Sequence, residues 1–219
     1  VVGDADVVDR NGGIGWITGA VVEYGPARSD TKVVLPLALQ AVERAHVRIV
    51  NASSVDAQAD VRVDGHLSTR SIPASGYVAL AVPPGTTAVE IASASPLVAS
   101  ALVFNDADMR AAYDVAGHGR SAASTELWTP RAYRRAAMPG GLGIARSTRV
   151  VIANPGDVAV DVTLRLDGAV DACAGQPIAV GPRPVPAGSA IAIDLASEPA
   201  VPNGCEGPLR ILASGPVVA

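Results

Sequence analysis

Apolar and polar residues alternate along Val47–Val50 and Ala59–Val63, the period-two pattern of strands with one face on a core. The alternation returns far downstream, because the pattern is written twice. VRIVNASSVDAQADVRVDG at Val47–Gly65 aligns without a gap with VVIANPGDVAVDVTLRLDG at Val150–Gly168, at an offset of 103 residues. Ile49 falls on Ile152, Asn51 on Asn154, Val61 on Leu164, and Asp64-Gly65 on Asp167-Gly168. Each copy predicts a strand ending at an Asn-led turn, then a second strand ending in Asp-Gly. Asn and Asp-Gly supply turn geometries that branched residues resist.

The repeat runs on. IPASGYVALAV at Ile72–Val82 matches VPAGSAIAIDL at Val185–Leu195, and IASASPLVASALVF at Ile91–Phe104 matches ILASGPVVA at Ile211–Ala219. A third fragment opens the chain: WITGAVVEYG at Trp16–Gly25 resembles Pro96–Asp106, with Trp16 on Leu97. Such self-similarity predicts the architecture more firmly than any local signal. Residues 1–28 read as the last strand or strands of a preceding module, 29–106 as a first module, 107–125 as a linker and 126–219 as a second module. The closing strand of that second module is expected to be short or lost.

Within the first module, strands are predicted at Val33–Leu35, Val47–Val50, Ala59–Val63, Tyr77–Val82, Ala88–Ile91 and Leu97–Phe104, each bounded by Pro, Gly, Ser or Asn. In the second they fall at Glu126–Thr129, Thr148–Ile152, Val158–Leu166, Ala190–Leu195 and Leu209–Leu212. Short strands at this spacing predict an all-β fold of tandem immunoglobulin-like β-sandwiches. Leu37–Ala45 reads either as one or two helical turns or as a bulged strand. Residues 106–125, the Ala132–Gly143 stretch and the region around Cys173 read as loops.

Composition supports many short strands: 22 glycines and 17 prolines accompany an apolar fraction of 49%, too high for disorder. With 3% aromatic residues, the cores must be built from Val, Ala, Leu and Ile. No run is long and apolar enough to span a bilayer. A net charge of −4 argues against a nucleic-acid surface. The two cysteines, Cys173 and Cys205, flank the Pro186–Leu195 strand region of one module. A disulfide is favoured over two free thiols; it would stabilise by roughly 2–4 kcal/mol and imply an oxidising compartment.

Little of the polar inventory has the spacing that chemistry needs. Asp4, Asp6, Asp9 and Asn11 precede Gly12-Gly13, but the alternate-position ligands and late acidic residue of a calcium loop are missing, so a polar terminus is the better reading. Asp114, His118 and Ser121 are hydrolase residue types, yet GHGRS is no nucleophile elbow, and three neighbours in a linker do not converge as a triad must. His46, His66 and His118 are scattered without zinc spacing. Gly140–Gly143 lacks the Lys-Ser/Thr of a phosphate loop, and Asp64 and Asp167 recur as turn formers. No catalytic residue, metal site or cofactor is expected, and the chain reads as not an enzyme.

One group stands out. Trp128, Arg131, Tyr133, Arg134 and Arg135 combine aromatic and basic side chains in one stretch, offering stacking surface and charge to an anionic glycan or acidic partner. The plainer alternative is that the rings pack between modules while the arginines stay solvated.

The second module also resembles an extracellular repeat domain of actinobacterial-type cell-surface proteins, an uncharacterised family. The marks are Trp128-Thr129-Pro130, Ala153-Asn154-Pro155-Gly156, Val185–Ser189, Asp194-Leu195 and Ser214–Ala219, preceded by GHGRSAASTELW. They span most of 125–219 and, more loosely, 33–105. The first module departs from the pattern, with Asn51-Ala52-Ser53 in place of Asn-Pro-Gly. The resemblance implies a bacterial envelope or secreted location and a structural or adhesive spacer role, and it carries over no catalytic residue. Partners would be proteins, a second copy paired through an exposed edge strand, or a cell-envelope glycan. The alternative function is a carbohydrate-binding or accessory domain of a larger secreted enzyme.

Overall fold

The structure, a computed structural model, describes residues 2–8, 16–22, 29–105, 112–137, 145–167, 170–171, 173 and 177–219. It is all-β, with several sheets, and divides into two compact units, Val1–Ala122 and Ala123–Ala219.

Unit one holds strands β1 (Val2–Val8), β2 (Trp16–Val22), β3 (Asp30–Pro36), β4 (Glu43–Asn51), β5 (Ala57–Val63), β6 (His66–Ile72), β7 (Tyr77–Val82), β8 (Ala88–Asn105), β9 (Ala112–Ala116) and β10 (His118–Gly119). β1 and β2 form an antiparallel hairpin, and β2 lies beside β9. The two strands expected at Ala88–Ile91 and Leu97–Phe104 are one. The first half of β8 pairs with β3 and β5, the second half with β4 and β9. Pro96 stands where the partners change, so its missing N–H costs no ladder bond. Both groups of strands send side chains into a single core that includes Val33, Leu35, Val47, Ile49, Ala59, Val61, Ile91, Ala101 and Val103.

Unit two holds β11 (Ser124–Arg134), β12 (Ala136–Ala137), β13 (Ala145–Arg146), β14 (Arg149–Ala153), β15 (Val160–Leu166), β16 (Val170–Asp171), β17 (Ile178–Val185), β18 (Ala190–Asp194) and β19 (Cys205–Val217). One sheet runs β11-β19-β15-β17, with β16 also on β19, while β14 pairs with β18. The core gathers Ile152, Val162, Leu164, Leu166, Val180, Val185, Leu195, Leu209 and Ile211.

The duplication extends to individual strand pairs. Val61 lies opposite Ile91, and Leu164 opposite Ile211. Ile49 faces Val78, and Ile152 faces Ile191. Ala57 faces Ile72, and Val160 faces Val185. Val33 faces Ile91, and Leu127 faces Ile211. Sequence alignment and backbone register agree at every one of these positions.

Several expectations need correction. Leu37–Ala45 is neither helix nor bulged strand: residues 37–40 form a loop whose amides at Leu37, Ala38 and Leu39 donate to Thr87 and Thr86 carbonyls, a turn follows, and β4 begins at Glu43. The 106–125 region is not irregular throughout. Residues 112–122 form β9, β10 and a 3-10 turn at Arg120–Ala122, while 106–111 lie outside the described residues. The opening strand of unit two passes through Pro130 to Arg134, with a bulge between Thr129 and Ala132 that accommodates the proline. β6 and β17 carried no readable signal. β6 buries only Ile72, and β17 contains Pro182 and Pro184, so neither shows apolar alternation. The loop expected around Cys173 thus includes strands β16 and β17.

The cysteines are joined: Cys173–Cys205 is a disulfide with a Cα–Cα distance of 5.3 Å. Both residues are buried in the core of unit two.

Candidate functional site

β11 alternates, so Ala132 is buried while Glu126, Trp128 and Tyr133 point away from the core. The β11–β19 register sets Trp128 opposite Arg210 and Tyr133 opposite Glu206. Cross-strand neighbours on one face touch, and here they form a ladder. The Arg210 guanidinium lies over the Trp128 ring at 5.1 Å from its centroid. Glu126 Oε1 accepts from Trp128 Nε1 at 2.8 Å and from Arg210 Nε at 2.9 Å. At the bulge, Arg131 lies over Tyr133 at 5.3 Å and is ion-paired with Glu206. Arg165 on β15, opposite Arg210, pairs with Asp167. Trp128 remains 58% exposed.

Electrostatics follow the pairing. The Arg210 hydrogen bond, then that of Trp128, holds the Glu126 carboxyl below its ordinary range despite some desolvation. The same bond raises Arg210, and Glu206 raises Arg131. Glu126, Arg131 and Arg210 therefore stay charged at neutral pH, and each of the two arginines is paired with a carboxylate. The face can stack a planar or ring-shaped ligand and offer hydrogen bonds, but its arginines are already neutralised.

Of the five candidate residues, the fold groups three. Arg134 shares the inward side of β11 with Ala132: its Nη2 donates to the Ala196 carbonyl at 3.4 Å, and its Nε is buried without a hydrogen-bond partner. Arg135 has φ +46°, is exposed, and donates its backbone N–H to Ser147 Oγ. Period-two geometry separates neighbours in sequence. Glu126, Glu206, Arg210 and Arg165 were missed because a ladder is made by strand register.

The remaining candidates disperse. Ser121 Oγ and N–H both donate to Asp30 Oδ2, at 2.7 and 3.1 Å. His118 sits on β10 opposite Val34, and Asp114 on β9 opposite Leu102. His46 and His66 belong to β4 and β6. Asp4 and Asp6 lie on β1, whereas Asp9, Asn11 and Gly140–Gly143 lie outside the described residues. Among the described residues no group of three His, Cys, Asp or Glu is placed to hold a metal ion, and no helix is long and apolar enough to cross a membrane. A shallow groove of about 530 Å³ separates β6 from β7, lined by Thr69–Ser71 and Val78–Ala81.

No known family model matches the chain, and no curated protein matches it.

Proposed function

We propose that the chain is a pair of immunoglobulin-like β-sandwiches that serves as a non-catalytic structural or adhesive segment of a bacterial envelope or secreted protein. The observation that carries this reading is the recurrence of the same strand pairs, in the same register, in two successive units. Each copy spends its buried polar side chains on turns: Asn51 and Thr86 in the first, Asn154 in the second. Duplication of a self-contained core is how chains gain reach and repeated surface. The sandwich reading draws on β8, whose two halves join different strand groups around one core. The disulfide favours an oxidising compartment, in keeping with the resemblance to actinobacterial-type surface repeats.

Protease treatment of intact producing cells tests this reading. Release of the chain from unbroken cells, with Cys173 and Cys205 resistant to alkylation, is the expected result. Protection until lysis, or two reactive thiols, overturns the envelope assignment.

A second reading, a carbohydrate-binding or accessory role within a larger secreted enzyme, is favoured by the exposure of Trp128 on the ladder face. Because Arg131 and Arg210 are paired with carboxylates, this face suits a neutral sugar ring better than an anionic glycan. Titration with neutral cell-wall polysaccharide should then quench tryptophan fluorescence in the native chain and not in Trp128→Ala, where Trp16 remains as the internal control.

A further inference from the structure

The two units carry the same edge strand and finish it differently. Among the described residues, β6 pairs only with β5 and β17 only with β15. Register matches the two strands. Arg70 lies opposite Ala59 as Arg183 lies opposite Val162, and Ser71 opposite Gln58 as Pro184 lies opposite Asp161. Val63 and His66 flank the two-residue Asp64-Gly65 turn, where φ is +45° and +86°, and so form a hydrogen-bonded pair. Antiparallel alternation then turns the N–H and C=O of Leu67, Thr69 and Ser71 away from β5. In β17 the place of Ser71 is held by Pro184, and Asp161 opposite it donates its N–H elsewhere, to Ser214 Oγ at 2.9 Å. A proline there costs no ladder bond and denies the edge to another strand. Arg183, beside it, is ion-paired with Glu198 at 3.3 Å.

Unit one has neither feature. Ser71 keeps its N–H, and Gly85 stands where the repeat puts Glu198. Among the described residues Arg70 has no hydrogen bond or ion pair. It lines the groove between β6 and β7 together with Val78 and Leu80, which are half-buried against the core. β7 offers a second set of backbone groups. The Asn51–Gly76 bond sets its alternation, so Tyr77, Ala79 and Ala81 turn their N–H and C=O away from β4. We propose that this groove takes an extended segment of a partner protein with one acidic residue between apolar ones, added as a strand to β6 with its carboxylate on Arg70. Unit two shows the chemistry of the occupant, because there the chain supplies the acid itself, as Glu198. Backbone bonds at Leu67, Thr69 and Ser71 supply the attraction. The cross-strand ion pair with Arg70 supplies the register, and the flanking apolar side chains cover Val78 and Leu80. The site is independent of where the protein acts and of the Trp128 face.

The probe is a capped, fluorescently labelled seven-residue peptide with valine at its second and sixth positions, glutamate at its fourth and threonine elsewhere. Its binding to the 219-residue chain is followed by anisotropy, with amide exchange read in parallel. The expected result is saturable binding with a Kd of about 1 mM or tighter, with slower exchange at the Leu67, Thr69 and Ser71 amides. The same peptide with lysine for glutamate should bind about tenfold more weakly or worse. Ser71→Pro copies Pro184 and removes an N–H that faces only the edge, so it should abolish binding. Arg70→Glu should reverse the preference, favouring lysine over glutamate. Both residues are exposed, so both variants should keep the native circular dichroism. A native chain that shows no saturation overturns the proposal. So does binding that survives Ser71→Pro, because the edge is then not used, or equal binding of the two peptides, because Arg70 then selects nothing.

Discussion

Asn154 makes the bond that Asn51 makes: each Nδ2 donates at 2.7 Å to the carbonyl four residues on, Val158 in one unit and Val55 in the other. Both side chains are buried, at 1% and 0% exposure. Each also donates to the carbonyl of the last residue of a later strand, Val185 of β17 and Ile72 of β6, and each Oδ1 accepts the backbone N–H two residues ahead, from Gly156 and Ser53. The Asn-led turn of the repeat is thus a buried polar pin that ties β4 to β5 and β6, and β14 to β15 and β17. Removing such a side chain strands carbonyls and an amide away from water, at a cost of about 1–3 kcal/mol. Asn51→Ala and Asn154→Ala should each lower the melting transition of their own unit in calorimetry and leave the other transition in place. A shared loss across both transitions would show that the units do not unfold separately.

The disulfide belongs to unit two alone. Reduction, or Cys173→Ser with Cys205→Ser, should destabilise that unit by about 2–4 kcal/mol through the freed unfolded chain. Hydrogen exchange should quicken in β15, β16 and β19 with β3, β4 and β5 unchanged. Equal acceleration in both units would contradict the separation of the two cores.

Glycine is required at position 117 by packing. A Cβ there would stand 2.7 Å from the Ala99 carbonyl oxygen and 2.7 Å from Val33 Cγ1. Gly117→Ala should cost about 1–3 kcal/mol as an overpacked site, seen as a lower denaturation midpoint. Relief by a further Val33→Ala would locate the clash.

Asp30 fixes the segment after β10. Burial pushes its carboxyl up, but hydrogen bonds from the Ser121 hydroxyl and amide, with the amides of Lys32 and Thr31, outweigh this and leave it below the ordinary value of 3.8. A carboxyl depressed in the folded state contributes stability that is complete above its unfolded value and is lost as pH falls through its folded value. Exchange of the Ser121 amide should therefore remain slow at neutral pH and quicken only in acid, below the normal carboxylate range. Asp30→Asn should remove the pH dependence. A Ser121 amide equally protected at all pH values would show that the carboxylate does not hold this turn.

How much of this was legible is clearest strand by strand. β4, β5 and β15 could be read directly, because one buried face imposes strict alternation: Ala45, Val47 and Ile49, or Val160, Val162, Leu164 and Leu166. β6 could not, since an edge strand with a single buried residue has no pattern to show. The join within β8 was hidden for a related reason: Pro96 reads as a break in one dimension and is a change of partners in three. At the ladder face, Trp128, Arg131 and Tyr133 were visible as types, whereas Arg210, Glu126 and Glu206 became their partners only through pairing.

The sequence by itself determined the all-β class, the duplication and the turns, because alternation, Asn-led turns and Asp-Gly are local constraints on backbone and solvent exposure. Only the tertiary structure decided which side chains share a face and that Cys173 and Cys205 are joined. Those are relations between segments distant in the chain, and they arise when strand register brings the segments together.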